Sequence, residues 1–228
     1  MKKIAHIIVA AGSGLRYGAP LPKQFCDLAG RPLLMTTVDN IARACGDAEM
    51  VLVLNADYVS LWEAMCREHH FVSPRIVAGG DTRWASVKNA LCTLDDDVAI
   101  VTVHDGARPM VTPDLTRRVI KAVEEGHEGA IPMVAVTDSM RRVDPDREGV
   151  THSIDRSTLR AVQTPQGFNA PLLRDAYRRP FSPSFTDDAS VMEAAGYIDL
   201  VEVAGDARNI KVTRPGDIAV AELFLSDM

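Results

Sequence analysis

The chain of 228 residues has few aromatic residues, few cysteines and no long apolar run. Its four cysteines are dispersed without Cys-x-x-Cys spacing, so we interpret them as reduced packing residues and not as metal ligands or disulfide partners. No stretch of about 18 apolar residues occurs, and the N-terminus lacks a cleavage-site pattern. We therefore expect neither a membrane span nor a signal peptide, and we expect a cytoplasmic protein.

Several familiar motifs are also missing, and each absence excludes a class of chemistry. The glycine-rich segment 12–23 is not a P-loop, because Lys23 is followed by Gln24 and not by Ser or Thr. It is not a dinucleotide fingerprint either, since the third glycine comes one residue late and two prolines follow where the helix would run. A NAD-dependent dehydrogenase is thus disfavoured. No Gly-x-Ser-x-Gly elbow is present, so the chain offers no obvious nucleophile.

What the chain does contain is a cationic, glycine-rich loop directly after a predicted strand. Residues 5–9 are a β-branched run typical of a buried strand, and the glycines within 12–18 then let the backbone fold close against a ligand. Arg16 and Lys23 lie in this loop. Backbone N–H groups and two side-chain cations form a cradle for a polyphosphate. The net charge of −6 requires such local clustering of cations and argues against a nucleic acid partner.

Strand and helix patterns alternate along most of the chain, which predicts an α/β fold with a doubly wound, mostly parallel sheet. Strands are predicted at residues 5–9, 50–54, 75–77, 98–103, 130–134, 160–164, 199–203 and 209–212. Helices are predicted at residues 32–44, 59–68, 83–94, 112–125, 171–178 and 187–195, and from Pro215 onward. Because repeats and linkers are absent, we expect residues 1–228 to form a single domain. Ligands bind such sheets beyond the carboxyl ends of the strands.

The alternation breaks at residues 139–155, where two strand patterns flank the turn-rich segment 144–149. This pattern predicts a β-hairpin arm. An isolated hairpin is only marginally stable in water, so a projecting arm needs a surface to pack against. A second copy of the chain is the simplest candidate, and we therefore expect a homodimer formed through the arm.

A second group of polar residues is predicted near the loop. Asp105 follows the strand at 98–103, and a carboxylate opposite a phosphate loop is the usual way to hold Mg²⁺. Arg108 is a candidate phosphate contact, whereas His104 is more typical of a structural residue. Since no nucleophile is evident, we expect the substrate to supply one. A phosphate monoester is a dianion at neutral pH and can attack a triphosphate once cations offset the repulsion.

The segment 79–83 joins a predicted strand to a predicted helix and begins with two glycines. Paired glycines permit close approach, so we expect this junction to hold a base or ribose through N–H groups and short polar side chains. Asp81 or Thr82 is expected to cap the helix. Thr186 is expected to cap the later helix at 187–195.

Taken in order, these motifs resemble the 2-C-methyl-D-erythritol 4-phosphate cytidylyltransferase family of the non-mevalonate isoprenoid pathway. The resemblance covers essentially the whole chain. The matching segments are residues 10–16, 22–24, 79–83, 104–109, 155–156, 163–166, 186–190 and 209–213. Each segment alone is a weak signal, but the ordered set is very specific. It implies a nucleotidyltransferase that uses CTP, a polyol phosphate and Mg²⁺, and that releases 4-CDP-2-C-methyl-D-erythritol and pyrophosphate.

The resemblance also implies roles for individual residues. Arg16 and Lys23 would stabilise the transition state at the α-phosphate, Arg156 and Lys211 would position the acceptor phosphate, and Asp105 would bind the metal. The residues implied around the nucleotide are Ala10, Ala11, Gly12, Ser13, Gly14, Gly80, Asp81, Arg83, Ser86, Asp105 and Gly106. Those implied at the acceptor are Arg108, Ser139, Arg156, Thr164, Thr186 and Lys211. In the family the arm crosses to a second subunit, so Arg156 would serve the partner's site.

Two alternatives stand beside this family. The sister family that transfers cytidylate to ribitol 5-phosphate has Ser-Val in place of Gly106-Ala107 and Asn in place of Asp155, so this chain follows the methylerythritol pattern at both places. Ser139 is a small departure, because the family has Thr there, but the hydroxyl is kept. A non-catalytic nucleotide-sensing protein is disfavoured because Arg16, Lys23 and Asp105 are all present.

Overall fold

The computed structural model describes residues 2–12 and 21–226, which are organised around an eight-stranded sheet. The strands are β1 (Lys3–Ala10), β2 (Asp27–Leu28), β3 (Arg31–Pro32), β4 (Glu49–Leu54), β5 (Arg75–Ala78), β6 (Val98–Asp105), β7 (Gly129–Ala135), β8 (Arg141–Val143), β9 (Thr151–Ser153), β10 (Arg160–Val162), β11 (Gln166–Asn169) and β12 (Leu200–Ala204). The helices are α1 (Leu33–Ala42), α2 (Val59–Glu68), α3 (Arg83–Leu91), α4 (Pro113–Glu124), α5 (Ala170–Ala176), α6 (Asp188–Ala195) and α7 (Gly216–Ser226).

The strands of the central sheet follow the order β10-β7-β11-β6-β1-β4-β5, with β12 paired to β7. The pairs β6-β1, β1-β4 and β4-β5 are parallel, and so is β7-β12. The strand β11 is antiparallel to both β6 and β7, and β10 is antiparallel to β7. The predicted α/β class with a mostly parallel sheet is therefore confirmed.

The centre of the sheet is apolar because helices cover both of its faces, as parallel strands require. On β1, Ile7 packs into the cluster that also contains residues of α3, α5 and α6, whereas Ile8 packs into the cluster formed with α1 and α2. The helix α4 begins at a Thr112 cap, whose Oγ1 accepts a hydrogen bond from the N–H of Leu115, and Pro113 occupies its first turn. The resulting layers fix the carboxyl ends of β1 and β6 side by side.

Several elements differ from the sequence-based expectations. The short strands β2 and β3 were not predicted, and Pro32 lies in β3 and not in the helix predicted at 32–44. The strand predicted at 98–103 continues to Asp105, so His104 and Asp105 belong to β6 and not to a loop. The prediction of a strand at 209–212 is wrong. This segment forms no ladder with another strand, and hydrogen bonds in turns and from side chains fix it instead. The strand β11 was missed. It is short and contains Gly167, where a Cβ would lie 2.5 Å from Val119 Cγ1 of α4, so close packing and not β-propensity favours glycine there.

The predicted hairpin is present as β8 and β9, which pair antiparallel in a small sheet of their own. Its turn is stabilised by Asp144, whose carboxylate accepts hydrogen bonds from Arg147 and lies 2.9 Å from His152 Nε2. Two apolar side chains of the arm are exposed, Met140 at 40 % and Val143 at 68 %. The arm therefore presents apolar surface away from the central sheet.

The cysteines carry free thiols, as predicted. Cys66 packs in the core beside α1, and burial raises the pKa of its thiol to about 11. Cys92 is exposed, so the interpretation as a packing residue does not extend to it. Within the described ranges, every helix is too short or too polar to cross a lipid bilayer.

A buried histidine lies in the middle of the sheet. His6 on β1 is fully buried, with its Nδ1 2.6 Å from Thr102 Oγ1, and its Nε2 has no hydrogen-bond partner among the described residues. Burial lowers the pKa of His6 to about 4. In the unfolded chain a histidine has a pKa of about 6.5. Between these two pKa values His6 binds a proton in the unfolded chain but not in the folded protein. The free energy of unfolding therefore falls as pH drops through this window.

We predict that His6→Asn flattens this pH dependence. At pH 5 the burial of His6 should cost about 2 kcal/mol relative to pH 7.5, and the variant should lack that loss because asparagine does not titrate. Urea unfolding at both pH values measures the difference. His69→Asn, at an exposed position, is the matched control and should follow the wild-type pH dependence. An unchanged pH dependence in His6→Asn would contradict the assignment.

Candidate active site

A pocket of about 270 Å³ opens beside the carboxyl end of β6, where Asp105 is the last residue of the strand. Six of its lining residues were predicted from sequence as site residues: Arg83, Asp105, Arg108, Thr164, Thr186 and Lys211. Four were not: Val162, Gln163, Gln166 and Asp187. The fold thus brings together residues from five separate stretches of the chain.

A larger depression of about 420 Å³ lies elsewhere, beside α1 and α7. Its most prominent charges are those of Arg31 and Asp39, whose side chains pair at 2.9 Å. None of the site residues predicted from sequence lines it. Because chemistry requires converging functional groups and not volume alone, we place the site at the smaller pocket.

Asp105 is surrounded by three cations. Its Oδ2 lies 2.8 Å from Lys211 Nζ and 3.6 Å from Arg108 Nε, and its Oδ1 lies 3.5 Å from Arg83 Nε. Burial alone would raise the pKa of this carboxyl, but the cations, Arg83 foremost, outweigh it and hold the pKa well below its usual range. Asp105 is therefore ionised at neutral pH, and three cations share this one carboxylate.

Arg83 is held between two carboxylates. Its Nη2 donates a hydrogen bond to Asp188 Oδ2 at 2.6 Å, while its Nε faces Asp105. Asp188 is fully buried, and its Oδ1 accepts a hydrogen bond of 2.6 Å from the Tyr177 hydroxyl. Burial and the neighbouring Asp188 raise the pKa of Tyr177, so it stays a donor. Neither Asp188 nor Tyr177 was predicted from the sequence as a residue of the site, although Asp188 lies in one of the matching segments. Contact of Arg83 with the nucleotide stays a prediction.

Thr164 connects the strand end to the loop that carries Arg108. Its Oγ1 accepts a hydrogen bond from the Asp105 N–H at 3.0 Å and lies 3.0 Å from His104 Nδ1. His104 Nε2 lies 3.1 Å from the Arg108 carbonyl oxygen. His104 is fully buried, and burial lowers its pKa to about 4. The expectation that His104 is structural agrees with this geometry.

The segment that carries Lys211 is fixed by hydrogen bonds to its backbone. Arg108 Nη1 donates to the Asn209 carbonyl at 2.8 Å, and Asn209 Nδ2 donates to the Thr164 carbonyl at 2.8 Å. Gln163 Nε2 donates to the Asp206 carbonyl, also at 2.8 Å. Asn209 and Gln163 were singled out only as parts of motifs. Their position suggests that they hold Lys211 beside Asp105.

The start of α6 forms another wall of the pocket. Asp187, and not Thr186 as expected, caps this helix, since its Oδ1 accepts a hydrogen bond from the N–H of Ser190 at 2.9 Å. Gln166 of β11 donates to Asp187 Oδ2 and accepts from the N–H of Ala189. These hydrogen bonds fix the start of α6, and Thr186, the residue before the cap, lines the pocket.

Most of the described residues predicted at the nucleotide meet at the ends of β1, β5 and β6. A Cβ on Gly79 would lie 2.3 Å from Ala11 Cβ, and a Cβ on Gly106 would lie 2.9 Å from Ala10 Cβ. Thr82 caps α3, and the Ser86 hydroxyl accepts from the Gly80 N–H at 3.1 Å. Asp81 is exposed beside them. These close contacts require the glycines and bring the predicted base-binding turn against Ala11, which directly precedes the predicted phosphate loop.

Lys23 begins a single 3₁₀ turn, Lys23–Phe25, and is half-buried. Gln24 fixes this turn to the start of the loop, because its Nε2 donates to the carbonyls of Ala10 at 2.8 Å and Gly12 at 3.2 Å. In the sequence, Gln24 served to exclude a P-loop and formed part of the matching segment 22–24, but this positioning role was not predicted. Arg16, Ser13 and Gly14 lie outside the described residues.

Two predicted acceptor residues lie on the arm and not at the pocket of their own chain. Ser139 and Arg156 are exposed, and Arg156 donates a hydrogen bond to the Thr137 carbonyl. They flank the base of the hairpin formed by β8 and β9, with Ser139 before the first strand and Arg156 after the second. Neither residue lines the pocket that contains Asp105 and Lys211.

Asp105 is the candidate metal ligand of the pocket. Over residues 2–12 and 21–226, no cluster of three or more His, Cys, Asp or Glu side chains could hold a metal ion. Asp187, the other acidic residue at the pocket, already accepts hydrogen bonds at both oxygens. Mg²⁺ needs few protein ligands when phosphates and water supply the rest. An ionised Asp105 fits that donor set.

Comparison with known proteins places the chain among cytidylyltransferases. Residues 4–227 match the family model of IspD, 2-C-methyl-D-erythritol 4-phosphate cytidylyltransferase. The chain is 41 % identical over 225 residues to the 2-C-methyl-D-erythritol 4-phosphate cytidylyltransferase of Bacteroides thetaiotaomicron, with 98 % of this chain and 100 % of the relative covered. Identity to that of Porphyromonas gingivalis is 43 % over 222 residues, with 96 % of each covered.

Solved structures agree with the sequence comparison. The 4-diphosphocytidyl-2C-methyl-D-erythritol synthase of Anaerococcus prevotii superposes with a TM-score of 0.81 at 28 % identity, covering 99 % of both chains. The 2-C-methyl-D-erythritol 4-phosphate cytidylyltransferase of Thermus thermophilus superposes with a TM-score of 0.76 at 30 % identity, covering 98 % of this chain and 99 % of the other.

We predict that Gly79→Ala disrupts the junction of the two nucleotide segments. The added Cβ would lie 2.3 Å from Ala11 Cβ, so the loop must shift, at a cost of about 1–3 kcal/mol. The dissociation constant for CTP, measured by titration calorimetry, should rise together with the loss of stability. Gly46→Ala is the control, because a Cβ there meets no atom within 4 Å. Equal CTP affinity in the two variants would refute the predicted contact.

Proposed function

The chain belongs to the 2-C-methyl-D-erythritol 4-phosphate cytidylyltransferase family, and on this premise we propose that it transfers cytidylate from CTP to 2-C-methyl-D-erythritol 4-phosphate. The products are 4-CDP-2-C-methyl-D-erythritol and pyrophosphate. The ribitol 5-phosphate alternative is disfavoured, because the similar relatives carry the methylerythritol name. The cytoplasmic location expected from the sequence stays a prediction.

The observation that carries the proposal is the charge of the pocket. Lys211, Arg108 and Arg83 converge on one ionised carboxylate, that of Asp105. In a partly buried pocket such cations attract a phosphate dianion more strongly than they would in water. Arg83 and Arg108 are also held by Asp188 and by the Asn209 carbonyl, so these two cations need little reorganisation when negative charge accumulates in the transition state.

The reaction needs no protein nucleophile. The acceptor phosphate has its second pKa near 6, so it enters as a dianion, and one of its oxygens attacks the α-phosphorus of CTP. The new O–P bond forms as the bond from the α-phosphorus to the bridging oxygen breaks, and that electron pair leaves with pyrophosphate. Lys23 is next to Gln24, which is hydrogen-bonded to the carbonyls of Ala10 and Gly12 at the start of the predicted phosphate loop. This position supports a role for the Lys23 ammonium group in stabilising the charge of the transition state. Arg16 is assigned the same role by family resemblance.

We propose Mg²⁺ as the cofactor, with Asp105 as its protein ligand. When bound, the ion neutralises phosphate charge and polarises the phosphoryl group under attack. Both Asp105 oxygens already face cations, and Lys211 is the closest of them at 2.8 Å. Lys211 would therefore have to release Asp105, and its ammonium group would then be available to the acceptor phosphate. Binding of the metal at Asp105 and of the acceptor at Lys211 would then be coupled.

We also propose that two chains pair through the arm and that Arg156 completes the partner's site. Met140 and Val143 leave apolar surface exposed on the arm, which pairing would bury. Arg156 and Ser139 are exposed and lie away from the pocket of their own chain. A site that takes its acceptor-binding residues from both chains accounts for this separation.

Pyrophosphate release with purified protein, CTP and Mg²⁺ tests the reaction. We predict turnover with 2-C-methyl-D-erythritol 4-phosphate and far slower turnover with ribitol 5-phosphate. Lys211→Gln should lower kcat/KM by about 100-fold or more, because it removes a charge that faces the reacting phosphate. Lys121→Gln, at an exposed lysine of α4, is the control and should match wild type. Faster use of ribitol 5-phosphate would overturn the acceptor assignment.

Mixing two inactive variants tests the shared site. We predict that Arg156→Ala and Lys211→Gln each lose activity alone. In a mixed dimer, one of the two sites would receive Lys211 from one chain and Arg156 from the other. After subunit exchange at equal concentrations, about a quarter of wild-type activity should return. No recovery, with exchange confirmed by native mass spectrometry, would show that Arg156 acts within its own chain.

A further inference from the structure

We propose that His104 is a positioning residue that fixes the hydroxyl proton of Thr164, so that Thr164 offers the pocket an acceptor only and binds a hydroxyl group of the acceptor substrate, not its phosphate. The inference rests on the proposed function for the identity of that substrate. It concerns the direction of each hydrogen bond around two residues that meet at the carboxyl end of β6.

The direction of the first bond follows from His104 Nε2. This atom lies 3.1 Å from the Arg108 carbonyl oxygen, and a carbonyl oxygen only accepts. Nε2 therefore carries a proton. His104 is fully buried, and neither ring nitrogen is hydrogen-bonded to a carboxylate that would stabilise an imidazolium. The neutral ring with its proton on Nε2 leaves Nδ1 as an acceptor.

The direction of the second bond follows from the first. Thr164 Oγ1 lies 3.0 Å from His104 Nδ1, so the hydroxyl must donate its proton to that nitrogen. The same oxygen accepts the N–H of Asp105 at 3.0 Å. A hydroxyl has one proton and two lone pairs. The proton and one lone pair are thus committed, and a single lone pair remains for a ligand.

That remaining lone pair determines what Thr164 can recognise. A phosphate dianion has no proton to donate, so it could bond to Thr164 only by breaking the contact with His104. A polyol hydroxyl can donate, and it would meet an acceptor already held in place. The cations Lys211, Arg108 and Arg83 line the same pocket and suit the phosphate. The pocket therefore divides into a cationic part and a hydroxyl-accepting part.

The wild-type protein provides the first test. Nitrogen-15 NMR of labelled histidine should show His104 with a protonated Nε2 and an unprotonated Nδ1 at pH 7.5, assigned by the signals lost in His104→Asn. A proton on Nδ1 would overturn the inference, because Thr164 would then be free to donate to the pocket. This measurement needs no turnover and no substrate.

The second test separates hydroxyl from phosphate recognition. With CTP saturating, Thr164→Val should raise the KM for the acceptor about tenfold, the usual effect of one lost hydrogen bond. The inhibition constant of inorganic phosphate, competitive with the acceptor, should stay within about twofold of wild type, because phosphate does not use Thr164. Thr164→Ser should recover most of the lost affinity, whereas Lys211→Gln should weaken phosphate inhibition. A parallel rise of both constants in Thr164→Val would overturn the inference.

Two substitutions of His104 form a matched pair. His104→Asn keeps an oxygen acceptor near the position of Nδ1, whereas His104→Gln keeps a donor toward the Arg108 carbonyl but offers Thr164 no acceptor. If His104 fixes the Thr164 proton, only His104→Gln should let phosphate inhibit several-fold more tightly. Equal effects in the two variants, both folded by circular dichroism, would mean that His104 only supports packing.

These outcomes are distinct from failure of the proposed function. If no acceptor is turned over, the NMR result stands by itself, and phosphate affinity can be measured by calorimetry in the same variants. If turnover is as proposed but Nδ1 carries the proton, the reaction assignment survives and the role of His104 does not.

Discussion

The pocket depends on the buried carboxylate of Asp105 and the three cations that face it. Without that carboxylate, Arg83, Arg108 and Lys211 would lose the partner that they share and would repel one another. Without the cations, burial would favour the protonated acid. The ionised state of Asp105 therefore depends on the cations, and Asp105 in turn offsets their mutual repulsion. The arrangement keeps three cations together at the end of β6, where an anion can bind. The overall field of the protein could not attract an anion, because its net charge is −6.

The fold supplies this arrangement by bringing distant stretches of chain to one edge of the sheet. β6 delivers Asp105, and the loop after it returns Arg108. The start of α3 supplies Arg83, which Asp188 at the start of α6 holds in place. Lys211 comes from a segment with no ladder of its own, held by Gln163, Arg108 and Asn209. Charged and neutral hydrogen-bonding groups together thus position the cations, and a displacement of the Lys211 segment would move Lys211 relative to Asp105.

Periodicity and turn chemistry were enough to predict the parallel part of the sheet, because β1, β4 and β6 are apolar runs that helices cover on both sides. They failed where packing and not propensity decides. β11 is short and contains Gly167, which α4 requires. Residues 209–212 look like a strand but form their hydrogen bonds in turns and through side chains, without a ladder. At the site, motifs identified the charged residues. The roles of the residues that position them could not be predicted in the same way. Asp188 and Gln24 lie in matching segments, but the partner that gives Asp188 its role, Arg83, lies 105 positions away along the chain.

Substrate binding at this site is best understood as an exchange of partners. In the structure, each cation of the pocket already has a carboxylate or a carbonyl beside it, so the desolvation of these charges is offset before any ligand binds. An arriving phosphate replaces an internal partner and does not have to recruit charges from water. The net gain is the difference between two similar interactions, which favours modest affinity for the ground state. A transition state that spreads negative charge over more oxygens can engage more of the cations at once, and there the fixed arrangement gives its largest advantage.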